Sequence, residues 1–286
     1  MILIYYLDKI KWYILFTSLI LACSPSGDDD NNIEENITSF VSESLTEEDK
    51  FGLIWNDEFE GENLNSAKWN VQTGDGTDEG IPGWGNQEEQ TYTDRNKNLK
   101  IKDGFLIISA FKENYLGKSY TSARINTQNK FSFQYGRIET RVKLPKRKGT
   151  WPAIWLLGEN HSTIGWPRCG EIDFIEQFGQ EKDKVITATH WFNEENRINA
   201  MYSKKTSIPS TSDEFIKYKL TWDEVAIRIY IEGEKAYEIA LNETLPFDQP
   251  FFLLINLAMG GTNGGATSSN FISDDFYIDY IRVYEN

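Results

Sequence analysis

The sequence predicts an all-β protein, and three observations lead to that prediction. Short segments in which apolar and polar residues alternate recur along the chain, and Gly, Asn or Asp turns separate them. No stretch keeps a 3.6-residue apolar period over three turns. Aromatic residues make up 14% of the 286 residues, which suits both strands and sugar-binding surfaces. Together these features indicate a β-sandwich or a β-barrel.

The first 23 residues have the pattern of an export signal. Lys9 and Lys11 precede a short apolar run, which cannot span the roughly 30 Å of a bilayer core as a helix. The run ends at Ala22, Cys23 and Ser24, which resembles a bacterial lipoprotein signal in which Cys23 becomes the lipidated first residue. An ordinary signal peptide is the alternative. The lipoprotein pattern predicts an exported outer-membrane or cell-surface protein that touches the membrane only through the lipid on Cys23.

Residues 24–50 are predicted to form an acidic, flexible tether. They contain nine acids and one base in a chain whose formal charge is −15. So acidic a chain repels phosphate backbones, and no nucleic-acid partner is expected. The two cysteines exclude a disulfide scaffold, and Cys169 is expected to be a small buried residue.

Residues 51–286 contain no Pro-, Gly- or Ser-rich linker, so one domain is predicted, and we expect it to be a monomer. Several segments carry the strand pattern. These are residues 98–111 with a hairpin turn at Asp103-Gly104, residues 131–144 with a slip at Gly136, and residues 216–231, 251–258 and 276–284.

Three carboxylates are concentrated in the predicted strand at residues 170–179. In a regular strand Glu171 and Asp173 share a face, and Glu176 points to the other side. A β-bulge between Asp173 and Glu176 would return all three to one face, while the apolar residues between them pack into the core.

Three neighbouring acids repel one another, which indicates a metal site or a catalytic pair. The metal interpretation lacks an oxygen-rich loop and a flanking histidine. Paired carboxylates fit glycoside hydrolysis, in which one attacks the anomeric carbon and the other, held protonated, donates a proton to the leaving oxygen. A solvated edge strand with scattered acids is the alternative without a function.

The Glu-Ile-Asp-Phe-Ile-Glu pattern resembles the catalytic signature of glycoside hydrolase family 16, and further segments of that family's pattern follow in its order. They are WNDEF at 55–59, GWGNQE at 83–88, YTSARI at 120–125, YGRIETR at 135–141, WPAIWLL at 151–157 and DYIRVY at 279–284. The resemblance spans about residues 53–285. Its nearest branch is the bacterial laminarinases, which are endo-acting β-1,3-glucanases, and the segment at 165–170 points the same way.

The resemblance implies a concanavalin A-like β-jelly-roll sandwich whose concave sheet forms a glycan cleft, and a retaining double displacement. By position, Glu171 would be the nucleophile, Glu176 the acid/base and Asp173 an assisting carboxylate. The implied partner is a β-1,3-glucan polysaccharide. The alternatives are a mixed-linkage β-1,3-1,4-glucan, a red-algal galactan, or glycan binding without catalysis by a surface lipoprotein.

The resemblance also implies six residues that would contact the glycan. They are Asn86, Arg124, Trp151, Trp155, Trp166 and His190. The tryptophan faces suit the apolar C–H faces of sugar rings, with core packing as the alternative for each. For Arg124 the alternative to glycan contact is a structural ion pair. The histidine is expected on the next strand, either flanking Glu176 or as a buried structural residue.

A structural calcium ion on the convex side is implied as well, and no cofactor is expected for catalysis. The matching ligands are Glu58, the carbonyl of Gly104 and Asp279, since oxygen ligands suit calcium. The chain departs from many laminarinases in its glycine-rich loop at 260–266, where Asn263 stands and the usual aromatic residue is missing.

Overall fold

Seventeen strands make up nearly all the regular structure of residues 41–209 and 211–286, the part of the chain that this computed structural model describes. The predicted signal segment, Cys23 and residues 24–40 lie outside the described residues. The strands are β1 (Leu53–Asp57), β2 (Asn70–Gln72), β3 (Gln90–Tyr92), β4 (Leu99–Lys102), β5 (Phe105–Tyr115), β6 (Lys118–Ser122), β7 (Arg124–Asn126), β8 (Gly136–Lys143), β9 (Thr150–Gly158), β10 (Glu171–Glu176), β11 (Lys184–Asn193), β12 (Ile198–Ser207), β13 (Ile216–Trp222), β14 (Ala226–Ile231), β15 (Glu234–Ala240), β16 (Phe251–Met259) and β17 (Ser273–Tyr284).

Three single turns of helix complete the secondary structure of the described residues. They are a 3-10 turn (Pro82–Gly85), α1 (His161–Ile164) and α2 (Gly261–Gly264). No helix in this part of the chain has the length and apolar character needed to cross a membrane.

The strands form two sheets that pack around one main core. The ten-stranded sheet runs β15-β14-β13-β8-β17-β5-β6-β3, with β1 beside β17 and β4 beside β5. The seven-stranded sheet runs β12-β11-β10-β9-β16-β7-β2. Ile138 and Ile229 of the first sheet share a buried cluster with Ile154 and Leu253 of the second. The predicted jelly-roll sandwich is therefore confirmed.

The predicted hairpin at residues 98–111 is confirmed as β4 and β5. Asp103 and Gly104 join the strands with φ angles of 55° and 78°. Two consecutive positive φ angles are those of a type I′ turn, whose twist matches that of the flanking strands.

The predicted strand at 131–144 is shorter in the structure, because β8 begins only at Gly136. Tyr135 and Gly136 both have positive φ angles, and a side chain on Gly136 would meet the carbonyl oxygen of Tyr284. From Gly136 onward the predicted alternation holds, with Ile138 and Val142 fully buried.

β16 is buried along its whole length, as the continuous apolar run predicts. Leu253 belongs to the main core, while Phe252 and Leu254 pack with Leu157 and Cys169 in a second cluster. Cys169 is fully buried, as predicted, and burial raises the pKa of its thiol to about 11.

Residues 41–50, which we call the N-terminal strap, contact the outer face of the ten-stranded sheet. The backbone N–H of Glu43 donates to the Asp279 carboxylate at 3.1 Å, and the Glu43 carboxylate pairs with Lys217 at 2.9 Å. Asp49 lies 3.5 Å from Arg282. The compact unit therefore begins at Val41 and includes the last ten residues of the predicted tether.

Candidate active site

β10 lies between β9 and β11 in the seven-stranded sheet and carries the three predicted carboxylates. The register with β11 shifts between Asp173 and Glu176, and the register with β9 shifts between Asp173 and Ile175. The predicted bulge is thus present. It lets Ile172, Phe174 and Ile175 enter the core while the three carboxylates share the outer face.

Two tryptophans hold the outer two carboxylates. The indole N–H of Trp151 donates to Glu176 Oε1 at 2.8 Å, and the indole N–H of Trp166 donates to Glu171 Oε2 at 3.1 Å. Trp151 is only 8% exposed, whereas Trp166 is 54% exposed. The first therefore orients Glu176 from within the fold, and the second presents an exposed ring beside Glu171.

His190 lies at a different carboxylate from the one expected. The register of β11 places it opposite Glu171, whereas Glu176 faces Ile186. Its Nε2 is 3.0 Å from Asp173 Oδ2 and 3.9 Å from Glu171 Oε1. The structure therefore does not place it beside Glu176, because the antiparallel register pairs His190 with Glu171, at the opposite end of β10.

Burial sets the protonation of Glu176. Burial is the larger cause and the negative charge of Asp173 the smaller one, and together they raise the pKa of Glu176 to about 8. The hydrogen bond from Trp151 opposes this shift. Glu176 therefore carries a proton at neutral pH. A protonated carboxyl group is what a general acid requires.

Glu171 and Asp173 share protons. Burial raises the pKa of Asp173 to about 7, and its hydrogen bond with Glu171 lowers it. Burial and the charge of Asp173 raise the pKa of Glu171, while His190 and the Trp166 N–H act in the opposite direction. Two carboxyl groups in hydrogen-bond contact hold one proton between them, so one of the pair can remain ionised.

Arg124 occupies an aromatic sandwich on β7. Its guanidinium carbon lies 4.5 Å from the Trp84 ring centre and 5.0 Å from that of Trp155, and its Nε donates to Gln72 at 2.7 Å. No ion pair to Arg124 is found among the described residues, so the structural ion pair is not what holds it. Stacking and one hydrogen bond fix its plane instead.

Asn86 is exposed, and the glycine-rich loop holds its backbone. The backbone N–H and hydroxyl of Thr262 donate to the Asn86 carbonyl at 2.9 and 3.0 Å. In the same loop the Asn263 carbonyl accepts the N–H of Gly179, which follows β10. The loop without an aromatic residue thus connects the Asn86 turn to the segment after the catalytic strand.

A buried polar chain beneath these residues is not among the sequence predictions. Glu88 is 4% exposed and accepts hydrogen bonds from Gln90 Nε2 at 2.6 Å and from the Tyr92 hydroxyl at 3.0 Å. The Asn256 amide donates to the Tyr92 hydroxyl at 3.2 Å, and the Asn256 carbonyl accepts the Trp155 indole N–H at 2.8 Å. The period-two spacing of residues 88, 90 and 92 is the sequence signal that would have found it.

The candidate residues form a band across the seven-stranded sheet. His190 on β11, the carboxylates on β10, the tryptophans at 151 and 155 on β9 and Arg124 on β7 lie on neighbouring strands or one strand apart. Trp155 pairs in register with Asp173. Such a band crosses several strands and suits an extended polymer.

The predicted calcium ligands are already paired in another way. Arg282 donates to both oxygens of Glu58, at 3.0 and 2.8 Å, and Arg141 donates to Asp279 at 2.5 Å. Gly104 packs against the strap at Ser42. As arranged, these residues do not fit a calcium ion, because guanidinium groups take the oxygens that the ion would need.

The chain resembles known proteins over most of its length. Residues 82–282 match the family Glycosyl hydrolases family 16. A beta-glucanase of Rhodothermus marinus is 37% identical in an alignment of 248 residues that covers 81% of this chain and 84% of that protein. The crystal structure of laminarinase from Flavobacterium sp. UMI-01 is 42% identical, with a TM-score of 0.74 over 82% of this chain and 100% of that one. LamA from Zobellia galactanivorans, in complex with laminaritriose and laminaritetraose, is 39% identical, with a TM-score of 0.75 over 82% of this chain and 98% of that one.

Proposed function

Since this chain belongs to glycosyl hydrolases family 16, we propose that it is an endo-acting, retaining glycoside hydrolase that cleaves β-1,3-glucan. A beta-glucanase and a laminarinase among its relatives, and laminari-oligosaccharides bound to another, support this substrate. The observation that carries the proposal is the bulged strand β10, which sets Glu171, Asp173 and Glu176 on one face.

In the first step Glu171 attacks the anomeric carbon, and Glu176 gives its proton to the leaving glycosidic oxygen. The Trp151 N–H keeps the Glu176 carboxyl group in place for that transfer. The product is a glycosyl ester on Glu171, and the configuration at the anomeric carbon is inverted.

In the second step Glu176, now ionised, takes a proton from water, and the water oxygen displaces Glu171. The second inversion restores the original configuration. Asp173 and Glu171 share one proton, and the attack requires that this proton lie on Asp173 so that Glu171 is ionised. His190, 3.0 Å from Asp173, is the other group in contact with that carboxyl group.

The charges around the site favour a neutral glycan. Three carboxylates lie on β10, and the nearby cations are committed to other partners. Arg124 is stacked between two indoles, Arg168 lies over Phe192, and half-buried Lys182 donates to the Thr150 carbonyl. A sulfated polymer would call for basic groups that face the cleft.

The test measures reducing-end release by the purified protein on a β-1,3-glucan, a mixed-linkage glucan, cellulose, agarose and κ-carrageenan. We expect rapid release of oligosaccharides from the β-1,3-glucan. Activity on a galactan alone would overturn the substrate, and intact binding without any release would indicate a glycan-binding protein. Glu171→Gln serves as the control, since it should bind the glucan and release nothing.

We also propose that the protein is exported and anchored through a lipid on Cys23, and that its folded domain is a monomer. The short apolar run that ends just before Cys23 supports the export and the anchor. Labelled fatty acid should be incorporated into the natural chain and not into Cys23→Ser. Equal labelling of both would contradict the anchor.

A further inference from the structure

We infer that Glu88 is a positioning residue that sets the orientation of Trp155 through Tyr92 and Asn256. The inference rests on the proposed function, because Trp155 lies in the band that would bind the glycan. Glu88 itself is buried and lies beneath this band, so it would act on the sugar only through other side chains.

The direction of each hydrogen bond in the chain follows from its buried end. The backbone N–H of Met259 donates to Gln90 Oε1 at 2.7 Å, which turns the Gln90 amide nitrogen toward Glu88. Glu88 Oε2 therefore accepts from Gln90 and also from the Tyr92 hydroxyl. The Tyr92 oxygen itself accepts the Asn256 amide N–H, so the Tyr92 hydroxyl proton points to Glu88.

The remaining bonds follow in sequence. With its proton given to Glu88, the Tyr92 oxygen accepts the Asn256 amide N–H at 3.2 Å. This leaves the Asn256 carbonyl to accept the Trp155 indole N–H at 2.8 Å. Glu88 thus ends a chain of hydrogen bonds that orients three side chains, the last of which is the half-buried Trp155.

Arg124 adds a second contact to the same arrangement. Burial raises the pKa of Glu88, and the positive charge of Arg124 together with the hydrogen bonds from Gln90 and Tyr92 opposes that rise. Arg124 also stacks on Trp155, so the arginine whose charge acts on Glu88 covers one face of that indole. A sugar ring that lies on Trp155 would meet a surface already oriented for it.

Tyr92→Phe tests the inference by removing one hydroxyl group. We expect the KM for β-1,3-glucan to rise about tenfold and kcat to change less than about twofold, since the lost contact orients a binding surface. Glu88→Gln, which puts a donor where the chain needs an acceptor, should raise KM at least as much. Tyr218→Phe is the matched control, because Tyr218 is equally buried and its hydroxyl has no hydrogen-bond partner among the residues that the structure describes.

A double-mutant cycle separates positioning from a general structural effect. In a Trp155→Phe background the indole N–H is gone, so Tyr92→Phe should change KM by less than about twofold. Multiplicative effects of the two substitutions, or a KM of Tyr92→Phe equal to that of Tyr218→Phe, would overturn the inference.

Failure of the proposed function is seen separately, as wild-type protein that releases no reducing ends from β-1,3-glucan. In that case the Kd for laminaritetraose is compared in Glu171→Gln protein with and without Tyr92→Phe. Equal Kd values, or no binding in either protein, would overturn the inference as well.

Discussion

Glu176 is held by a single indole donor in a setting that keeps it protonated, and this determines how the rate should depend on pH. With the pKa of Glu176 raised to about 8, kcat/KM should fall as the pH rises through that value. Trp151→Phe removes the hydrogen bond that lowers this pKa. The fall of kcat/KM at alkaline pH should therefore occur at higher pH in this variant than in the wild type. The pH profile on β-1,3-glucan measures both, and an unmoved limb in Trp151→Phe would contradict the assignment.

The same group should destabilise the fold at high pH. The folded-state pKa of Glu176 is raised from 4.5 to about 8, so its contribution to stability is full below about pH 4.5 and is lost as the pH rises through about 8. Glu176→Gln keeps the shape and cannot ionise. We therefore expect its melting temperature, relative to wild type, to be several degrees higher at pH 9 than at pH 4. A difference that does not change with pH would count against the raised pKa.

At the residue scale, local pattern predicted the carboxylates but not every partner. Glu171, Asp173 and Glu176 stand out because acids interrupt an apolar strand at spacings of two and three. The position of His190 beside Asp173 depends on the register between β10 and β11, which no local pattern contains. The link from Glu88 to Trp155 was missed because it runs from Tyr92 to Asn256, and these two residues are far apart in the sequence.

At the scale of elements, three glycines let the segment after β10 contact the glycine-rich loop. A methyl group on Gly179 would lie 2.0 Å from the Gly264 carbonyl oxygen and 2.9 Å from the Gly149 nitrogen. Both are backbone atoms, which cannot rotate away as the end of a flexible side chain could. The sequence alone shows that this loop lacks an aromatic residue. It does not show that the loop backbone packs closely, because that packing involves chain segments distant in sequence.

Gly179→Ala should therefore lower both stability and activity. We expect a loss of about 1–3 kcal/mol in the free energy of unfolding, measured with urea, and a lower kcat/KM because the neighbouring Glu176 moves. Gly61→Ala is the control, since the nearest atom that its methyl group would meet is at 3.4 Å. Equal stability of the two variants would show that the loop adapts.

At the scale of the whole molecule, arginine pairing takes the place expected for a metal. Glu58 and Asp279 are bound by Arg282 and Arg141, and Arg282 is only 4% exposed. EDTA should therefore leave the melting temperature unchanged, and added calcium should not raise it. A rise of several degrees with calcium would show that the ion displaces the arginines.

The strap should stabilise the sandwich from outside. Deletion of residues 41–50 removes Asp49 and the Glu43 backbone from Arg282, so we expect a lower melting temperature. Lys50→Ala is the control, because the ion pair that Lys50 forms with Glu47 lies at the exposed surface. An unchanged melting temperature on deletion would make the strap a passive contact.

The overall architecture was predictable where strands alternate and tight turns separate them, as in β4 and β5. The strap was not, because its acidic and polar composition reads as a spacer. What places it is a set of cations, Arg141, Lys217 and Arg282, that come together only after β8, β13 and β17 are side by side.

The strap leaves the candidate site uncovered. Val41 meets the domain at Arg141 on the outer face of the ten-stranded sheet, and the band of candidate residues lies on the outer face of the other sheet. Residues 41–50 therefore occupy the side opposite to the one that would meet a glucan chain, and a long polymer could lie along the band without touching them.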